Sequence, residues 1–173
     1  MEPKHAAPGP QAAPVALITG SDSGIGRATA VRLAEAGMDI GVTWHRDHEG
    51  AQRTADEVRR TGRRAEIEQL DLSRLPEAAG VIDRLAERLG RVDVLVNNSG
   101  TGTMTPFLEL DLSTVRQVVD VDLVGPFLCA QRAAHHMIAQ GDGGRIINVT
   151  SVHEHQPRVG RRRTARPRAG SGC

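Results

Sequence analysis

The sequence predicts an α/β fold, a doubly wound parallel sheet with helices on both faces. Three observations carry this. Short apolar runs alternate with longer stretches of helical spacing from residue 14 to residue 149. A glycine-rich turn joins the first run to the first helical stretch. Small polar residues close the third, fourth and fifth runs, at the carboxyl ends where an open parallel sheet receives its ligands. Strict alternation implies parallel pairing with right-handed crossovers, because parallel neighbours cannot be joined by a tight hairpin.

Each element follows from its residues. Residues 1–13, rich in Pro and Ala and without an apolar signal core, read as a disordered leader. Pro14-Val-Ala-Leu-Ile18 reads as a short buried strand. Gly24 to Ala36 has helical spacing, with Ile25, Ala28, Val31 and Leu33 apolar and Gly37 as the stop. Met38 to Thr43 is the second strand, Glu49 to Thr61 a polar helix, and Arg64 to Leu70 the third strand. Leu75 to Leu89 is a helix, and Val92-Asp-Val-Leu-Val96 is the fourth strand. Leu112 to Gln140 reads as one long helix with Pro126 as the place for a kink. Arg145 to Val149 is the fifth strand. The domain thus spans 14–151, and residues 152–173 read as a disordered, Arg-rich tail.

Composition narrows the function classes. The chain has 173 residues, enough for one domain with a substantial core. Its formal charge of +1 hides an asymmetry: residues 158–173 hold six arginines and no acid, whereas the rest carries 16 basic and 21 acidic residues. A mildly acidic body without aromatic stacking groups argues against a nucleic-acid binder. Cys129 and Cys173 make neither a disulfide framework nor a metal spacing, which points to a reducing compartment. No run approaches the roughly 18 apolar residues of a membrane span, so the expected location is cytoplasmic.

Four segments carry chemistry. In Thr19-Gly-Ser-Asp-Ser-Gly-Ile-Gly26, Gly20 permits a tight turn, Gly24 lets the backbone approach a phosphate, and Gly26 lets the helix pack on the strand. Ser23, Gly24 and Ile25 open the helix, whose free N–H groups and dipole suit a pyrophosphate. A plain Gly-rich connection has the same composition. Asn97-Asn-Ser-Gly100 follows the fourth strand, where Asn97, Ser99 and Gly100 can line a ligand site or form an ordinary turn. Asp71-Leu72 ends the third strand, where the carboxylate can accept an adenine amino group or simply close a turn. Ser151 brings a hydroxyl to the end of the fifth strand.

Taken together, these segments resemble the short-chain dehydrogenase/reductase family, particularly its glucose-dehydrogenase-like members, over residues 14 to about 157. The resemblance implies a Rossmann-like sheet, incomplete here at about five strands in the order 3-2-1-4-5. It also implies NAD(P)-dependent hydride transfer with a small alcohol or carbonyl substrate, Ser151 orienting the reacting oxygen. Cofactor choice falls to the end of the second strand, where His45 and Arg46 favour NADP over NAD by offering base to a 2′-phosphate. Trp44 beside them packs against either the adenine or the following helix.

Two departures stand out. The family's mechanism needs a tyrosine thirteen residues after the serine and a lysine four further on, but those positions hold Thr164 and Arg168. The chain contains no tyrosine at all. Asp122 stands where the family usually has an asparagine that supports a water-linked proton relay. Displaced by one nucleotide, codons for Thr164 and Arg168 can spell Tyr and Lys, so a frame change between about 157 and 163 is expected. On that reading the following helix and two further strands are missing, which compromises the family's homo-oligomer and exposes apolar surface. The expectation is a scaffold with little turnover. A non-catalytic dinucleotide sensor is the rival reading, and nucleic-acid binding through the tail a weaker one. His153 and His155 lack metal-site spacing. Arg59, Arg60, Arg63 and Arg64 read as a solvated helix end and strand entry.

Overall fold

A computed structural model describes residues 12–151. The expectations placed on residues 1–11 and 152–173, including Thr164, Arg168, His153 and His155, lie outside the described residues. Five strands form one parallel sheet in the order β3-β2-β1-β4-β5. They are β1 (Val15–Ile18), β2 (Asp39–Trp44), β3 (Ala65–Gln69), β4 (Val94–Asn97) and β5 (Arg145–Asn148). The helices are α1 (Gly24–Glu35), α2 (His48–Arg60), α3 (Val81–Leu89), α4 (Leu112–Val119) and α5 (Gly125–Gln140). The predicted class, strand number and order are those observed.

The central strand shows why the sheet is covered twice. All four residues of β1 are buried, and successive side chains point to opposite faces. Val15 and Leu17 join Leu85, Leu95, Cys129 and Met137 in the core beneath α3 and α5. Ala16 and Ile18 join Ile40, Val42, Ala51 and Val58 beneath α1 and α2. Leu17, Ile18, Ile40, Ile82, Leu85 and Leu95 are fully buried, each stabilising the fold by about 1.5–3 kcal/mol.

Two predicted helices are broken. Leu75 to Leu89 divides into a 3₁₀ turn at Glu77–Gly80 and then α3. The long helix divides into α4, a π turn at Asp120–Val124, and α5. Pro126 stands near the start of α5, which runs on directly from the π turn; it lacks the N–H that a continuous α-helix would give to the Asp122 carbonyl, and the irregular turn forms just ahead of it rather than as a simple kink. A 3₁₀ turn at Phe107–Glu109 lies in the loop after β4 and was not foreseen.

The arginines at the end of α2 and just after it are not merely solvated. Arg64 bonds the buried Asp39 through its N–H at 2.9 Å and its Nε at 2.7 Å, and reaches the Leu89 carbonyl. Arg63 donates to the Gly37 carbonyl at 2.9 Å, and Arg59 to the Ala65 carbonyl at 2.9 Å. They lock the amino-terminal edge of β2 and β3, opposite the candidate site. His136 of α5 lies 3.0 Å from Asp83 of α3. At the other border, all four residues of β5 are exposed, and Leu112, Leu123 and Phe127 present apolar surface along α4 to α5. Among the described residues no helix is long and apolar enough to cross a membrane.

Candidate functional site

The carboxyl ends of the three central strands are tied together by the glycine-rich turn. The Thr19 N–H donates to the Val96 carbonyl at 3.0 Å, and the Gly20 N–H donates to Thr43 Oγ1 at 3.0 Å. Buried Ser21 donates its hydroxyl to the Ile18 carbonyl and accepts the Thr43 N–H. Thr19 Oγ1 accepts the backbone N–H groups of Asn98 and Ser99 at 2.9 and 2.8 Å. The Asn98 amide returns to the Thr19 and Gly20 carbonyls at 3.0 and 2.9 Å. Thr19 is thus a buried strut of the turn rather than part of its open surface. Sequence reasoning named the Asn-Asn-Ser-Gly element but missed Asn98 as the clamp, since only the fold brings it to the turn.

Two glycines serve different ends. Gly24 has a φ of +55°, which an L side chain rarely adopts, and faces open space. At Gly26 a Cβ would sit 2.3 Å from the Gly20 carbonyl oxygen, so only glycine lets α1 start this close to the turn. The first turn of α1 then has no side-chain cap from Ser23 and no acid of its own, although Asp22 just before it also lines the crevice. That leaves a concentration of positive dipole without an internal partner.

This helix end opens on a crevice of about 550 Å³. Gly20, Ser23 and Ile25 form its floor, and His45 and Arg46 its wall after β2. Asp71, Leu72 and Ser73 line it after β3, and Ser99, Gly100 and Thr101 after β4. Gln117 and Val121, which the sequence did not flag, close it from α4 and the π turn. The volume lies within the range of small-molecule and cofactor sites.

The crevice is electrostatically mixed. The Ser73 hydroxyl, 2.6 Å from Asp71 Oδ1, holds that carboxyl below the usual carboxylate range. Partial burial opposes this, and the Ser73 N–H, His45 and Arg74 reinforce it. Asp71 therefore both closes a turn and lines the crevice. His45 Nε2 lies 3.5 Å from Asp71, while Asp47 caps α2 at the Gly50 N–H and pairs with Arg53. Arg46 lines the crevice and makes no ion pair with the described residues. Trp44 packs edge-on against His48 at the start of α2, with ring centroids 5.0 Å apart.

Six predicted residues are not in the crevice lining: Thr19, Gly24 and Gly26, which build the turn, and Asn97, Asp122 and Ser151. Asn97 is buried, its amide donating to the Pro126 carbonyl and to Asn148 Oδ1 at 3.2 and 3.0 Å. It braces β4, β5 and α5. Asp122 Oδ1 accepts the Thr101 N–H at 2.7 Å. Ser151 is exposed, three residues past β5, and is not among the residues that line the crevice.

The family model described as short chain dehydrogenase matches residues 14–162. The chain belongs to the short chain dehydrogenase family. It is similar to an uncharacterized oxidoreductase, YohF, of Escherichia coli, 58% identical over 145 residues, which are 84% of this chain and 57% of that protein. The crystal structure of acetoin dehydrogenase YohF from Salmonella typhimurium superposes with a TM-score of 0.83 at 57% identity, over 86% of this chain and 58% of that one. A short chain dehydrogenase from Burkholderia cenocepacia, solved in complex with NADP, gives 0.78 at 34% identity, over 84% and 58%. This short chain dehydrogenase sequence therefore spans a little under three fifths of the length of the relatives it matches.

Proposed function

We propose that residues 14–151 form a dinucleotide-binding unit and that the chain, as its sequence stands, holds NAD(P) with little turnover. The observation that carries this reading is the uncapped start of α1, whose first turn holds no acid and which opens on a crevice of cofactor size. The residues fit such a ligand. Ser23, Gly24 and Ile25 offer backbone N–H groups to the pyrophosphate, and Gly20 and Gly26 permit that approach. Asp71 and Leu72 receive the adenine, and Ser99 and Gly100 lie on the far side towards the nicotinamide ribose. Arg46, without an ion pair among the described residues, supports NADP over NAD, with His45 drawn instead towards Asp71.

When bound, the dinucleotide supplies hydride exchange with a carbonyl or alcohol. The Salmonella relative's name points to a small hydroxyketone or its oxidised partner as the substrate class. Ser151 would orient the reacting oxygen. Proton transfer is the weak step, because Thr164 occupies the tyrosine position and an alkyl hydroxyl is too poor an acid. Loss of a general acid typically lowers the rate about 10²–10⁴-fold.

Calorimetric titration with NADPH and NADH tests the reading. Saturable binding of both, tighter for NADPH, is expected. No heat of binding with either cofactor overturns it.

A further inference from the structure

Gln117 lines the crevice although no pattern in the sequence announces it. We infer that Gln117 is a specificity-determining residue for the adenosine half of the dinucleotide, its carboxamide closing the crevice over the base. The inference rests on the dinucleotide reading of the crevice and adds a contact to it.

The placement follows from the helix that carries it. Gln117 lies on α4, and Val121 lies four residues on in the π turn that continues it, so the two share one face about a turn apart. Both line the crevice. Val121 packs against the core cluster that holds Leu72, and at Gly125 a Cβ would sit 3.0 Å from both Leu72 methyls. The turn after α4 thus leans on the segment that follows β3, although the chain reaches it from β4. Gln117, one turn outward from Val121, stands at the mouth of the crevice on the side of Asp71, Leu72 and Ser73. That is the side to which the adenine is assigned.

The chemistry fits a base. Asp71 Oδ1 accepts the Ser73 hydroxyl at 2.6 Å and the Ser73 N–H at 3.0 Å, and His45 stands 3.5 Å from the same oxygen. Its second oxygen is left for a donor such as the adenine amino group. A carboxylate only accepts, so Asp71 offers the ring nitrogens nothing. The Gln117 side chain is exposed and has no hydrogen-bond partner among the described residues. A carboxamide both accepts and donates. It matches the adenine edge that carries N6 and N7, with Oε1 accepting an amino hydrogen and Nε2 donating to the ring nitrogen. Asp71 and Gln117 would then share the two amino hydrogens, while Arg46 serves the 2′-phosphate.

The test uses the full chain and Gln117→Met, which keeps the length and helical preference of the side chain and removes the carboxamide. Both proteins are titrated with NADPH and with adenosine 2′,5′-bisphosphate, which carries the base, its ribose and the 2′-phosphate without the nicotinamide half. Each is also melted without ligand. The expected result is affinity about three- to tenfold weaker in the variant, by the same factor for both ligands. Its melting temperature should stay within about 2 °C of wild type. Equal affinities in variant and wild type overturn the inference and leave the dinucleotide reading standing. A loss confined to NADPH overturns it too, since that places Gln117 at the nicotinamide half. So does a loss accompanied by a clearly lower melting temperature, which places Gln117 in the fold. Wild type that binds neither ligand sinks the dinucleotide reading, and this inference with it.

Discussion

Replacing Gly26 with alanine puts one carbon into the tightest contact of the glycine-rich turn. The new Cβ would lie 2.3 Å from the Gly20 carbonyl oxygen, 2.6 Å from Asn98 Nδ2 and 2.9 Å from Ser21 Cα. None of the three can retreat cheaply, because the Asn98 amide already bridges the Thr19 and Gly20 carbonyls and Ser21 is fully buried. Relief requires α1 to move away from the turn by most of an ångström. Overpacking of this kind costs about 1–3 kcal/mol, and losing the Asn98 bonds adds about 1 kcal/mol each. The melting temperature should fall by about 10 °C or more, with NADPH affinity lost alongside. Gly24→Ala is the control: its Cβ meets open space, and only the positive φ of +55° is penalised, by about 1–2 kcal/mol. Thermal unfolding followed by circular dichroism separates the two. A Gly26→Ala protein that melts within about 2 °C of wild type, or a Gly24→Ala protein that melts lower still, refutes the packing argument.

Other consequences are as direct. Burial pushes the Asp39 carboxyl up, but the Arg64 N–H and guanidinium, with Arg63, more than offset it and hold it below the usual carboxylate range. Its stabilisation is complete above the ordinary carboxylate pKa and disappears as pH falls through the lower folded value. Asp39→Asn should be less stable than wild type by about 1–3 kcal/mol at pH 7, a gap that narrows below about pH 4 in a series of thermal melts. Burial raises the Cys129 thiol to about 12, so in a Cys173→Ser background native protein at pH 8 should resist thiol reagents until it unfolds; labelling at the rate of a free thiol contradicts that. Arg46→Ser should weaken NADPH binding about tenfold and leave NADH unchanged in parallel titrations.

The sheet was legible because each apolar run is short, bounded by turn residues and separated from the next by helical spacing. Gly20, Gly24 and Gly26 announced the turn for the same local reason. What escaped depends on contacts distant in sequence. Asn98 clamps a turn 78 residues away, and the Thr101 N–H meets Asp122, 21 residues on. Asn97 carries the polar signal of a ligand contact, yet it is buried and its amide is spent on the Pro126 carbonyl and Asn148, joining β4 to α5 and β5. Periodicity ran straight through Asp120–Val124 because a π turn adds a residue without disturbing composition. The arginines at 59, 63 and 64 looked solvated since their backbone-carbonyl partners leave no trace in a sequence.

The chain has one tryptophan and no tyrosine, so its intrinsic emission is that of Trp44 alone, adjacent to the His45 and Arg46 wall of the crevice. Titrating NADPH while following Trp44 emission, then adding acetoin or diacetyl to the same sample, tests dinucleotide binding and turnover together. The account predicts saturable quenching of Trp44 that Gly26→Ala abolishes, with NADPH oxidation about 10²–10⁴-fold below that of an ordinary enzyme. Emission that ignores NADPH, or oxidation at the about 1–10³ s⁻¹ of an ordinary enzyme, contradicts it.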